Sequence, residues 1–285
     1  MKQTDFKGAI TKEVSFFMIT PALLWQVLFF YIPLTMIVGA SFMYQSGISW
    51  QHYSSLLELP YFKIITRSLL FALINAFVCL IFAYPAAYFL ARNVKKWKNI
   101  LLFSLMLPFW TNILVQIYAW FFVLERNGLC NTLLMKLGLI SEPLHLMNSS
   151  LTILIVMAYC YLPFMILPLY SNLEKLDSRL IESSYDLGAN SWQTFFNVTL
   201  PLSWSGIKTG FFLVFVPSFG EFVIPALMGG SKYMFAGSLI SHYFLTVHDT
   251  SQGAAFTCLS GVVLLTIAIV LNWYFSKKAY ASRGQ

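Results

Sequence analysis

Glu182-Ser183-Ser184-Tyr185-Asp186-Leu187-Gly188-Ala189, closed after one intervening segment by Leu200-Pro201, decides how the rest of this chain is read. It is a long polar interval on the side that carries most of the Lys and Arg, and strongly apolar segments flank it. The residues predict a helix, a glycine stop and a second short helix. Gly188 falls where a helix C-terminus favours a left-handed residue, and Asn190 with Gln193 has the spacing of an N-cap box. Pro201 is expected to end the second helix, because the residue before a proline is pushed out of the helical region. The plain alternative is an ordinary amphipathic hairpin between two membrane helices.

Working outward, the flanking segments set the class. A chain that is 58% hydrophobic, 18% aromatic and only 10% charged cannot hide its apolar surface in one soluble core. The net charge of +7 does not point to nucleic acid, since the basic residues sit between apolar runs rather than on one face. Charge-free intervals run from Val14 to beyond Met43, Ser68 to Ala91, Asn99 to Leu124, Pro143 to Leu173 and Thr250 to Ser276. A sixth, Thr209 to Ser231, is interrupted only by Glu221. Each reaches the length of about 20 residues that a bilayer core requires. In lipid the backbone must bond to itself, so the expectation is an all-α polytopic membrane protein with six transmembrane helices and a single domain over 1–285.

Orientation follows from charge. Lys2, Lys7 and Lys12, then Arg92, Lys95, Lys96 and Lys98, then Lys175, Arg179 and Lys208, and finally Lys277, Lys278 and Arg283 lie on one side. Lys63, Arg67, Arg126, Lys136 and Lys232 lie on the other. The positive-inside rule makes both termini and the 172–206 loop cytoplasmic. The first apolar run is too long for a signal-peptide core and lacks a small-residue cleavage site, so it is expected to stay attached. Between the third and fourth spans, 129–139 is expected to form a short interfacial helix. Prolines at 21, 33, 85, 108, 163, 168, 217 and 225 break or kink spans. Freed carbonyls are tolerated chiefly beside neighbouring protein or a water-filled path, which favours a transporter over a passive anchor.

Catalytic chemistry is thin. Cys79, Cys160 and Cys258 lie within spans, Cys130 stands alone outside, and four scattered histidines give no metal-ligand spacing. There is no phosphate-binding loop, nucleophile motif or carboxylate pair, which sets aside an intramembrane enzyme. Any ATP-driven work must be done by another chain.

Glu221 is the one acidic residue inside a span. Thirteen residues beyond Lys208, at 1.5 Å each, it lies roughly 20 Å across, past the midplane. A charge there costs several kcal/mol unless it faces the interior, water or a cation. It is either a substrate contact or a structural carboxylate bonded to a neighbouring helix. The third span carries Trp110, Thr111 and Asn112 and continues to Tyr118 and Trp120. Aromatic faces attract cations, although packing or an interfacial belt is the commoner role of any one of them. Asn112 is expected to face the interior.

The Glu182, Gly188, Ala189, Leu200 and Pro201 spacing resembles the coupling loop of ABC importer permeases, with Ser183 and Ser184 in place of two alanines. Further segments resemble spermidine/putrescine importer permeases in particular. They are Pro108-Phe109-Trp110-Thr111-Asn112, Tyr161-Leu162-Pro163-Phe164-Met165, Leu173-Glu174-Lys175-Leu176-Asp177, Gly220-Glu221-Phe222-Val223-Ile224-Pro225 and Leu227-Met228-Gly229-Gly230. Gln116 departs from the arginine of that pattern. The resemblance implies a type I importer permease fold in a bacterial inner membrane. Glu182, Ser183, Ser184, Asp186, Gly188, Ala189, Leu200 and Pro201 would dock on an ATPase. Glu221 and Phe222, with Trp110, Asn112 and Tyr118, would line the substrate path. It also implies a second related permease, two cytoplasmic ATPases that bind the ATP and magnesium, and a periplasmic or tethered binding protein. This chain itself would hold no cofactor or metal. The alternative is an ABC permease for another solute, such as sulfate, iron or an amino acid. A passive channel fits the coupling loop poorly.

Overall fold

The computed structural model describes residues 19–44, 47–94, 96–230 and 233–281. The chain begins with α1 (Ile19–Ala40), a hairpin of β1 (Met43–Tyr44) and β2 (Gly47–Ile48), and α2 (Gln51–Leu56). Then come α3 (Leu59–Arg92), α4 (Lys98–Trp110), α5 (Ile113–Leu124), α6 (Leu129–Lys136) and α7 (Ser150–Glu174). After α8 (Ser178–Asp186) and α9 (Ser191–Leu202) follow α10 (Trp204–Phe219), α11 (Val223–Met228), α12 (Ala236–His242) and α13 (Thr250–Ala281).

Four of these helices are long and apolar enough to cross a membrane: α1, α3, α7 and Thr250–Lys277 of α13. Two more candidate spans among the described residues are bent pairs. The chain turns by 94° between α4 and the segment from Ile113, and by 65° between α9 and α10. The third charge-free interval therefore divides at Thr111 and Asn112. Separately, the interval around Glu221 divides into α10 and α11, with Gly220, Glu221 and Phe222 between them. Helix α6 occupies the expected interfacial position, and Val14–Met18 of the first interval lie outside the described residues.

The described residues of Met1–Glu58 and Tyr243–Leu259 form one compact unit. Within it the His52 ring lies between Gln252 Oε1, at 2.5 Å, and the Met43 carbonyl, at 3.0 Å. Helix α1 carries a π turn at Val27–Tyr31, directly before Pro33. The Ile32 N–H bonds to Val27 O across this wider turn, which relieves the clash of the Pro33 ring with the preceding turn.

The described residues of Leu59–His242 and Ser260–Gln285 form the second unit. Its core is the packing of α3, α7 and α10 on one another. Ala72, Ala76, Ala83 and Ala87 of α3 are fully buried, and these small side chains allow close approach. Ile153, Met157, Leu169 and Leu173 of α7 and Phe211, Val214 and Phe215 of α10 fill the space between. Two buried polar ties fix the register of α3 against α10. Asn75 Nδ2 donates to Ser218 Oγ at 2.8 Å, and Tyr84 and Ser203 share a hydroxyl–hydroxyl bond of 2.8 Å.

Pro201 does not end the second helix of the polar loop. Leu200 remains helical at φ −63°, ψ −48°, and its N–H bonds to Phe195 O across a π turn over Phe195–Thr199. The extra residue in that turn relieves the clash that a proline ring makes with the preceding turn. The helix runs on to Leu202 and the chain turns at Ser203, whose ψ is 0°.

Candidate functional site

The polar loop is a helical hinge, α8 and α9 joined at a glycine turn. Asp177 caps α8 by accepting the Arg179 N–H at 3.0 Å. At the other end Gly188 has φ +84°, and the Ala189 N–H returns to Ser184 O at 3.1 Å. Asn190 Oδ1 accepts the Gln193 N–H at 2.8 Å while Gln193 Oε1 accepts the Asn190 N–H at 2.9 Å, so both halves of the capping box are present. The two serines divide their labour. Ser184 is buried and bonds Thr194 Oγ1 at 2.9 Å, which locks α8 to α9, whereas Ser183 is exposed and bonds back to Leu180 O. Glu182, Asp186 and Leu187 are exposed, as is Trp192, which stacks on Phe196 with centroids 5.9 Å apart. Ala189, Leu200 and Pro201 are half-buried. Acidic and apolar groups together thus form an open face.

The second locus comprises two helix breaks, between α4 and α5 and between α10 and α11, at which the first helix ends in the same way. At the first, the Thr111 N–H bonds to Pro108 O at 3.2 Å, Thr111 is extended, and Asn112 Oδ1 caps α5 by accepting the Leu114 N–H at 2.8 Å. Gln116 Nε2 spans the gap, donating to Pro108 O and, at 2.7 Å, to Thr111 Oγ1. At the second, the Gly220 N–H bonds to Pro217 O at 3.1 Å. Glu221 Oε1 then accepts from the N–H groups of Phe222, Val223 and Ile224 at 3.1, 3.0 and 3.3 Å. Its Oε2 accepts the Tyr161 hydroxyl of α7 at 2.7 Å. Glu221 is only 8% exposed, so the carboxylate is compensated by four hydrogen bonds at the N-terminus of a short helix.

Helix α11 packs against both α5 and α7. Nearby, a small cavity of about 150 Å³ is lined by Pro108, Thr111, Gln116, Cys160 and Tyr161 among others. Helix α12 presses on the second break. A Cβ on Gly237 would lie 2.2 Å from Gly220 O, and Ser68 Oγ of α3 accepts the Ala236 N–H at 2.8 Å.

The aromatic residues read from the sequence stay open. Trp110 is 73% exposed and meets Phe103 edge-on at 5.4 Å, Tyr118 is 49% exposed and Phe222 42%. Asn112 is exposed and works as a cap rather than facing an interior. Glu221 is brought to Tyr161, a partner that the spacing of residues did not single out. Gly237 was missed as well, and Gln116 stood out in the sequence only as a departure from the family's arginine, not as a bridge across the break. A glutamine inside a charge-free span is a signal that it bridges backbone, but a glycine's neighbour has no sequence signature.

The model of the family described as binding-protein-dependent transport system inner membrane component matches residues 82–279. The chain belongs to that family. It is thus a multi-pass, inner-membrane permease component of an ABC importer, a transport subunit rather than an enzyme. It is 38% identical over 260 residues to the spermidine/putrescine transport system permease protein PotB of Escherichia coli K12, covering 89% of this chain and 94% of that one. PotB of Haemophilus influenzae is 36% identical over 261 residues, covering 89% and 91%. Among solved structures, a chain of a bacterial ABC transporter that imports the acidic polysaccharide alginate superposes with a TM-score of 0.76 at 16% identity. That match covers 96% of the permease and 99% of the other chain, which establishes the importer permease fold.

Proposed function

We propose that this permease forms half of the translocation path of an ATP-driven importer of polyamines such as spermidine and putrescine. The observation that carries the reading is the 38% identity, over 89% of the chain, to permeases of spermidine/putrescine transport systems. The charge balance agrees with it, since Glu221, the acidic residue within the spans, would attract a polycation.

In this reading the termini and the 172–206 loop are cytoplasmic. The open face of Glu182, Ser183, Asp186, Gly188 and Ala189, with Ser184 locking the joint and Leu200 and Pro201 closing it, docks on one of two ATPase subunits. These bind the ATP and magnesium. A second, related permease completes the path, and a periplasmic or tethered binding protein delivers substrate. Glu221 acts mainly by holding the break in α10–α11 and by its field, because its oxygens already accept four hydrogen bonds. The exposed faces of Trp110, Tyr118 and Phe222, with Asn112 at the facing break, replace part of the hydration of the ammonium groups.

The test is uptake of labelled putrescine and spermidine by the complex reconstituted with its partners, in the presence of competing solutes. ATP-dependent uptake suppressed by excess polyamine is expected. Uptake of a sulfate, iron or amino acid that polyamines leave unaffected would overturn the substrate assignment.

A further inference from the structure

The segment that joins α7 to α8, Lys175 to Asp177, is gripped from both ends by the neighbouring connection between α3 and α4. Arg92, the last residue of α3, donates from Nη1 to Oγ of Ser178, the first residue of α8, at 3.2 Å. Lys98, the first residue of α4, pairs with the carboxylate of Glu174, the last residue of α7. The same ammonium lies 5.4 Å from the ring centroid of Tyr170, one turn earlier on α7. The contacts are crossed: the end of α3 holds the start of α8, and the start of α4 holds the end of α7. Nε and Nη2 of Arg92 are buried without a hydrogen-bond partner among the described residues, so only part of its donor fork is committed in this arrangement.

We propose that Arg92 and Lys98 are positioning residues that form a second coupling element. They transmit movement of the hinge helices α8 and α9 into α3 and α4. The proposal rests on the assignment of that hinge as the ATPase-docking loop. The pair Lys98–Glu174 is part-exposed, with 27% and 42% of the side chains accessible, and exposed ion pairs add little to stability. The same scale bounds the coupling that the pair can carry to at most about five-fold. A hinge linked to α7 alone would move that one helix. With both clamps in place, a tilt of α8 pulls on the start of α4, which leads to the break at Thr111. It also pulls on the end of α3, whose other half holds Ser218 just before the break at Glu221.

The experiment measures uptake per ATP hydrolysed by the reconstituted complex carrying Lys98→Glu, Glu174→Lys, both together, or Arg92→Gln. Each single substitution is expected to lower that ratio about five-fold while the ATPase still co-purifies, within the range by which residues along a coupling route alter coupling. The exchanged pair should recover to within about two-fold of the unaltered complex, since it restores the opposite charges. Should Lys98→Glu fail to accumulate, Lys98→Gln is read in the same assay. An unchanged ratio, an exchanged pair no better than the single changes, or loss of complex with a normal ratio would each overturn the proposal. Gly188→Val in the same preparation separates the two readings. If it too leaves the ratio unchanged, the docking assignment fails; if it alone uncouples, only the clamp fails.

Discussion

Glu221→Gln is the substitution that best probes the broken span, because it keeps the shape and removes the charge. In the structure Oε1 accepts three backbone N–H groups and Oε2 accepts the Tyr161 hydroxyl. The amide oxygen can retain the three backbone bonds, but its NH₂ faces a hydroxyl that now has to accept. Bonds to a charged group contribute about 1.5–3 kcal/mol and neutral ones about 0.5–1.5 kcal/mol. Each of the four bonds thus loses about 1 kcal/mol, giving an upper estimate of about 4 kcal/mol for the α10–α11 junction. Tyr161→Phe removes only the hydroxyl and leaves the charge, at a cost of about 1.5–3 kcal/mol. The assay pairs the thermal unfolding midpoint of the purified complex with polyamine uptake. Glu221→Gln should lower both, and Tyr161→Phe should lower the midpoint with a smaller loss of uptake, because the attractive charge remains. A well-assembled Glu221→Gln complex with an unchanged midpoint and unchanged uptake would refute the role of the carboxylate as brace and as attractor alike.

Three other outcomes are expected. Gly188→Val should uncouple ATP hydrolysis from uptake, because φ +84° costs an L-residue about 1–2 kcal/mol and a β-branched one more. Space is open around that Cα, so Gly188→Asn should retain most coupling, and equal behaviour of the two variants would argue against the left-handed stop. Gly237→Ala places a methyl group 2.2 Å from Gly220 O and should cost about 1–3 kcal/mol, with a lowered unfolding midpoint and reduced uptake. A normal midpoint there would show that α12 does not press on the break. Ser191→Cys, in a background without native cysteines, should resist an impermeant thiol reagent in intact cells and react once the membrane is opened; labelling from outside would invert the topology.

What was legible in the sequence was local or periodic. Gly188 and the Asn190–Gln193 pair act over at most a few residues, so their chemistry is complete within the segment that carries it. The apolar intervals announce helices because lipid leaves the backbone no other partner. What stayed hidden depends on residues far apart in the chain. Tyr161 meets Glu221 across 60 positions, and Asn75 meets Ser218 across 143. Pro201 misled because the rule for the residue before proline assumes a regular α-helix, and the π turn at Phe195–Thr199 removes that assumption.

The prolines show why the breaks themselves were hard to place. Pro85, Pro163 and Pro168 sit inside helices that run on unbroken. At Pro108 and Pro217 the helix closes three residues later on the proline's own carbonyl, and four residues later comes a capping oxygen, from Asn112 or Glu221. Proline alone therefore weakens a span, and a polar side chain able to start the next helix turns the weakness into a break. Even that spacing is not sufficient. Asn172 stands four residues after Pro168, yet its helix continues to Glu174 and its Oδ1 is buried without a partner among the described residues. The difference lies in the residue between. Thr111 takes up an extended backbone and Gly220 has no Cβ, with its carbonyl meeting Gly237, whereas Ser171, itself exposed, stays helical beside Asn172, which lies close against Gly206 of α10. A break thus forms where the cap is present and the packing leaves the backbone free to turn. Both conditions are met at Asn112 and at Glu221.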